Sequence, residues 1–348
     1  AASLLIAIDL CLAAERGALA YDQPSPSGTH AEPMGVLSDS DSVTAMNTPS
    51  LHRVHCPDAQ GGHHMAWWEW GDAQAPHVIV CVHGLSRQGR DFDVLAQALL
   101  ARVAEQGHAV RVICPDVVGR GESDWLKDPM GYQFPTYVGD MLAMLGALHQ
   151  TAPIATLDWV GTSMGGLIGL SIAGLPQLPL PAPVRRLVLN DVGPAVQWAA
   201  LQRIGRYLGK SGPYDTVEQG AADMRSLSVG FGPHSDAQWL ALSRPMLRER
   251  PEGGWRLHYD PAIAVPYAAV SEASAADGEA ALWQLYDQVS ADTLVLRGAD
   301  SDLLSAATVS AMAERGPRAR SVEFAGVGHA PTLVAPQQVR VVLNFLLP

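Results

Sequence analysis

The sequence predicts an α/β fold: a mostly parallel central sheet flanked by helices, with a helical cap inserted between core strands. Three observations carry this. Strand-length apolar runs recur at "HMAWWEW", "HVIVCVH", "AVRVICPD", "ATLDWVG", "RRLVLNDV", "DTLVLRG" and "RSVEFAG". Segments with helical periodicity separate several of them. Many of the runs are nearly continuous in apolar residues, as expected of strands covered on both faces.

The expected helices cover residues 92–105, 137–149, 163–173, 306–315 and 336–347. In the first, Phe92, Leu95, Leu99 and Val103 fall at helical spacing on one face. The alternation stops over residues 194–290. Helical pieces remain there ("VQWAALQRIGRYLG", "DAQWLALSRPML", "EAALWQLYDQV"), and their Trp and Leu content is too high for disorder. The expected division is therefore an N-terminal extension and linker (1–50), a core (51–193 and 291–348) and a helical lid (194–290). Within the extension, "AASLLIAIDLCLAA" is too short to span a bilayer. It lacks a basic flank and carries Asp9, a poor match to a secretory signal. It reads as an amphipathic segment docked on the domain, and the protein as cytoplasmic.

Composition excludes some functions. A formal net charge of −12 on 348 residues, with no long Lys/Arg run, argues against nucleic acid as a partner. Cys81 and Cys114 sit inside apolar runs and read as packing thiols; Cys11 and Cys56 could pair, but nothing demands it. There is no C-x-x-C, and His55, His63 and His64 read as strand-edge histidines, so no metal is expected. "GRGESDW" lacks the lysine of a phosphate-binding loop, and "GTSMGGLIG" lacks the spacing of a dinucleotide fingerprint. No cofactor is expected.

The chemistry centres on "WVGTSMGGL". A strand, a sharp turn and a helix surround Ser163, and Gly161 and Gly165 leave room for the tight turn that presents a nucleophile. The same serine could be a plain helix N-cap. Its surroundings decide between the two. "VCVHGLSRQGRDF", "PDVVGRGESDW", "LVLNDVGP", "LVLRGADSDLL" and "FAGVGHAPTL" follow one another in an order that resembles the α/β-hydrolase superfamily, from about Leu51 to Pro348.

The resemblance implies Ser163 as nucleophile and His329, between Gly326, Gly328 and Ala330, as general base. It implies a triad acid at Asp302, in the version of the motif that ends in Ser-Asp-Leu; Asp300 and Asp191 are the alternatives, Asp191 because some members place the acid after the preceding strand. Oxyanion donors are expected at the backbone N–H groups of Met164 and Leu85, with His83 bracing their loop. Arg87 and Arg90 flank the expected mouth as loop braces or carboxylate binders. In the lid, Trp198, Trp239, Leu240, Trp255 and Trp283 suggest an apolar pocket.

The expected activity is hydrolysis of a carboxylic ester or lactone through an acyl-enzyme, on a small-molecule substrate and without a membrane span. The alternatives are a C–C bond hydrolase, a thioesterase or a cofactor-free perhydrolase on the same triad, or a non-catalytic binding member. Serine at the turn argues against the dehalogenases and epoxide hydrolases of this fold, which carry a carboxylate there. Oligomeric state is not legible.

Overall fold

The computed structural model describes residues 48–348, apart from Ser211. The docked-segment reading of the extension and any partner role of Cys11 lie outside the described residues. Cys56 is a buried free thiol.

The chain enters through β1 (Ser50–Cys56) and β2 (His63–Gly71), then β3 (His77–Val82), α1 (Asp93–Glu105) and β4 (Arg111–Asp116). Next come α2 (Phe134–Thr151), β5 (Thr156–Thr162), α3 (Met164–Gly174) and β6 (Val184–Asn190). The inserted stretch supplies α4 (Trp198–Tyr207), α5 (Val217–Leu227), α6 (Asp236–Ser243), β7 (Leu247–Glu249), β8 (Trp255–Leu257), α7 (Ala264–Ala268) and α8 (Glu272–Gln288). The chain closes with β9 (Asp292–Gly298), α9 (Ala306–Glu314), β10 (Arg320–Phe324) and α10 (Pro336–Leu346).

Eight strands form one sheet in the order β1-β2-β4-β3-β5-β6-β9-β10. β1 pairs antiparallel with β2, and β2 antiparallel with β4. From β4 onward every pairing is parallel. The period-two geometry of a strand explains the continuous apolar runs. In β3, Val78, Val80 and Val82 point into one core, while Ile79 and Cys81 point into the other. Helices α2, α3 and α8 cover the first face with Met141, Leu145, Ile168, Ile172 and Leu282. α1 and α10 cover the second, and the predicted stripe Phe92, Leu95, Leu99 and Val103 is wholly buried there.

Three strands escaped the sequence. β1 shows mostly exposed side chains, so it carries no apolar run. In the inserted stretch, β7 and β8 form an antiparallel hairpin, where only helices were expected. Gly253 and Gly254 turn it, both at positive φ. That stretch also has a small core of its own, with Tyr214, Met224, Trp239 and Met246. Among the described residues, no helix is long and apolar enough to cross a membrane.

The parallel strands all end on one edge of the sheet. His83, Ser163 and Asp191 directly follow β3, β5 and β6, and the loop after β10 carries His329. Ligands in open parallel sheets bind outside that edge.

Candidate active site

Ser163 sits between β5 and α3 with φ 52° and ψ −116°, a conformation that costs a non-glycine residue backbone strain. The glycines make the turn possible. A Cβ on Gly165 would lie 2.0 Å from the Val82 carbonyl oxygen, and one on Gly161 would lie 2.2 Å from that of Gly165. Strand and helix approach so closely that no side chain fits between them. The Ser163 N–H donates to the Asn190 carbonyl at 3.0 Å, tying the turn to the end of β6.

Ser163 Oγ lies 3.0 Å from Nε2 of His329, and Nδ1 of His329 lies 2.7 Å from Asp191 Oδ2. Asp191 is fully buried. Its Oδ1 accepts the Gly298 N–H at 2.8 Å, and Oδ2 also accepts the Ser301 hydroxyl at 2.6 Å. The carboxylate is thus fixed from β9 as well as from its own strand.

The expectation that Asp302 orients His329 is corrected by this geometry. Asp302 points outward, where the Arg203 guanidinium grips both of its oxygens at 2.6 and 2.9 Å. Asp300 is exposed, and its backbone N–H closes on the Val327 carbonyl. The "GADSDLL" loop contributes Ser301 to the site instead of an acid. Of the three candidate carboxylates, only Asp191 meets the imidazole.

On the other side of Ser163, the loop after β3 carries Gly84 and Leu85. His83 is fully buried and braces it. Val117 N–H donates to His83 Nε2 at 2.9 Å, so the proton sits on Nδ1 and is donated to the Gly84 carbonyl at 2.7 Å. Burial pushes this imidazole down to about 3, which keeps it neutral at physiological pH. Arg120 is a brace that the sequence did not reveal. Also fully buried, it donates to the carbonyls of Leu85 at 2.8 Å and Val118 at 2.6 Å, and to the Tyr137 hydroxyl. Its only sequence signal is its place in "VVGRGES". The Met164 N–H, as the first of α3, has no partner one turn back. Arg87 and Arg90 both act as loop braces, paired with Asp91 and Asp93.

Two cavities meet at Ser163 and Leu85. The first, of about 150 Å³, is walled by Met164, Leu167, Val192, Leu201, Tyr267 and Leu282 among others. The second, of about 140 Å³, contains His329 and a more polar lining that includes Arg87, Arg203 and Lys210. Core and inserted residues contribute to both. The aromatic lining differs from the expectation, since none of Trp198, Trp239, Leu240, Trp255 and Trp283 faces either cavity. Trp239 is packed inside the small core of the inserted stretch, its indole N–H on the Ala221 carbonyl, while Trp283 lies under Arg315. Tyr132, Phe134, Tyr137 and Tyr267 line the first cavity.

The family model described as the alpha/beta hydrolase fold matches residues 77–336. The chain belongs to the α/β-hydrolase family. A 3-hydroxybutyrate-oligomer hydrolase of Cupriavidus necator is 46% identical over 303 residues, which cover 86% of this chain and 98% of that protein. An esterase of Mycobacterium tuberculosis is 28% identical over 265 residues, 73% of this chain and 76% of that one. Among solved structures, an alpha/beta hydrolase from Novosphingobium aromaticivorans aligns with a TM-score of 0.70 at 32% identity, covering 86% of this chain and 98% of that chain. The present α/β hydrolase is an enzyme acting on ester bonds, as the sequence led one to expect.

Proposed function

We propose that this hydrolase cleaves the ester bonds of short 3-hydroxybutyrate oligomers through an acyl-enzyme on Ser163. The observation that carries the chemistry is the hydrogen-bonded line from Ser163 through His329 to Asp191, placed where two cavities join. The substrate class is supported by the relative that acts on 3-hydroxybutyrate oligomers, matched over 98% of its length. Each linkage in such an oligomer joins the carboxyl of one unit to the hydroxyl of the next, and is an ordinary carboxylic ester.

In this reading His329 Nε2 takes the Ser163 proton as Oγ attacks the ester carbonyl carbon. Asp191 holds the imidazole in the tautomer that leaves Nε2 free to accept, and stabilises the imidazolium that forms. The oxyanion is received by the N–H groups of Met164 and Leu85, held in place by Ser163's own turn and by His83 and Arg120. When the ester C–O bond breaks, its electron pair goes to the leaving oxygen, which takes the proton from Nε2. Water then gives a proton to His329 and attacks the acyl carbon, and Ser163 is released with its proton restored.

Residues 194–290 act as a lid that walls both cavities and sets substrate choice, while the core supplies the reaction. Its contributions to the lining, from Leu201 and Ile204 through Tyr267 to Leu282, support this role.

The test is product analysis with purified protein. Linear dimer and trimer of 3-hydroxybutyrate are expected to yield monomer, and Ser163→Ala to yield none. Turnover of p-nitrophenyl butyrate alongside intact oligomers would remove the substrate assignment.

A further inference from the structure

The two cavities differ in a way that gives the substrate a direction. General acid catalysis requires the leaving oxygen to lie beside His329 Nε2, since that atom returns the proton. His329 belongs to the lining of the second cavity and not to that of the first. The leaving alcohol therefore departs into the second cavity, and the acyl portion lies in the first. The linings agree with that division. The first cavity is almost entirely apolar and its one charged residue is the carboxylate Glu279, which opposes a second negative group. The second holds the cations Arg87, Arg203 and Lys210 against the carboxylates Asp91 and Asp223.

Most of those charges are already engaged. Arg87 grips Asp91 at 2.6 and 2.7 Å and donates to the Leu242 carbonyl at 3.0 Å. Arg203 grips Asp302, and Asp223 accepts the Tyr214 hydroxyl at 2.6 Å. Lys210 differs: among the described residues no carboxylate lies within ion-pair distance of its ammonium. The sequence has only two lysines, and the other, Lys127, reaches the Gln60 carbonyl far along the chain. An ammonium on a flexible stem, facing a reaction cavity and free of an acidic partner, is suited to a substrate carboxylate.

Resting on the substrate reading above, we propose that the second cavity is a leaving-group subsite in which Lys210 binds the terminal carboxylate of a hydroxy-acid oligomer. Cleavage then proceeds from the carboxylate end. The ester C–O bond breaks with the carboxyl-terminal fragment leaving as a free hydroxy acid, its new hydroxyl protonated by His329. The rest of the oligomer, apolar apart from its ester groups and terminal hydroxyl, stays on Ser163 as the acyl group in the first cavity until water releases it.

The experiment compares kcat/KM on the dimer and trimer as free acids with that on their methyl esters, at low salt. The wild-type enzyme is expected to favour the free acids by about tenfold, the scale of one charge-assisted contact. Lys210→Met should bring that ratio close to one by raising KM for the acids. Lys210→Arg should retain the preference, and Lys127→Met should leave it unchanged. A trimer isotopically labelled in its carboxyl-terminal unit should give labelled monomer and unlabelled dimer as its first products. An unchanged acid-to-ester ratio in Lys210→Met, or first release of the hydroxyl-terminal unit, overturns the inference while leaving oligomer hydrolysis in place. Absence of hydrolysis of any oligomer, with p-nitrophenyl butyrate still turned over, overturns the substrate reading and this inference with it.

Discussion

Asp191 and His329 are 138 residues apart in the chain, yet their side chains meet at 2.7 Å on the carboxyl edge of the sheet. Three further groups fix the pair: Asp191 also holds Gly298 and Ser301, and His329 also holds Ser163. The Asp191 carboxylate is fully buried, and among the described residues it has no cation other than His329 within ion-pair distance.

From this follows a ranking of carboxylate variants. Asp191→Asn should lower kcat by about 10⁴-fold, because an amide at that position favours the wrong imidazole tautomer. Asp302→Asn removes a partially exposed ion pair with Arg203 and should change kcat by less than about threefold. Asp300→Asn should be silent. Steady-state kinetics on p-nitrophenyl butyrate give the ranking, and circular dichroism checks that each variant is folded. A severe loss in Asp302→Asn with a mild one in Asp191→Asn would reverse the assignment.

A second expectation concerns the turn. Gly165→Ala would force a methyl group to within 2.0 Å of the Val82 carbonyl oxygen, and neither backbone segment can retreat without parting strand from helix. The cost should be about 3 kcal/mol or more, among the larger effects of single substitutions. Urea unfolding measures it. Gly146→Ala, in α2 with open space at its Cβ, should be neutral or slightly stabilising by helix propensity.

A pH dependence arises away from the site. His63 on β2 lies between Asp140 on α2, at 3.0 Å from Nε2, and Asp58, at 3.1 Å from Nδ1, with the Cys56 thiol beside them. Burial alone would lower its pKa, but the hydrogen bonds and charges of Asp140 and Asp58 outweigh that and raise it. The folded state therefore holds this proton more tightly than the unfolded chain. The resulting stability is fully present below the ordinary histidine value of about 6.5 and is lost as pH rises through the raised one. Asp116, pushed up to about 7 by burial, adds a fall in part of the same range. The difference between wild type and His63→Gln isolates the histidine: the melting temperatures should converge as pH increases from 6 to 9. A gap that stays constant across that range would show that the fold does not raise the His63 pKa.

The sequence revealed most of the core because parallel strands covered on both faces have to be apolar along their length, as Val78 to Val82 are. β1 was not legible for the converse reason: it is an edge strand whose side chains mostly face water. Ser163 was legible because the turn leaves no room for side chains at Gly161 and Gly165, and that requirement is written in the residues themselves. The acid was not. Asn190 pairs with Leu296 across adjacent parallel strands, so the residues after β6 and after β9 emerge side by side on the same edge. Asp191 and Asp302 are then both near the histidine loop, and the choice between them rests on side-chain direction. Arg203, from the inserted helix α4, draws Asp302 outward, and Ser301 with Gly298 holds Asp191 in place. Those are long-range contacts with no local pattern. The tryptophans misled for a similar reason, as the inserted stretch has a core of its own to fill.

The most direct test of the account is to find where a fluorophosphonate attaches. Peptide mapping of the inactivated enzyme should give a single adduct on Ser163, with loss of oligomer hydrolysis in proportion to labelling, and Ser163→Ala should be neither labelled nor active. An adduct on another side chain, or a Ser163→Ala variant that still hydrolyses its ester at the wild-type rate, would contradict it.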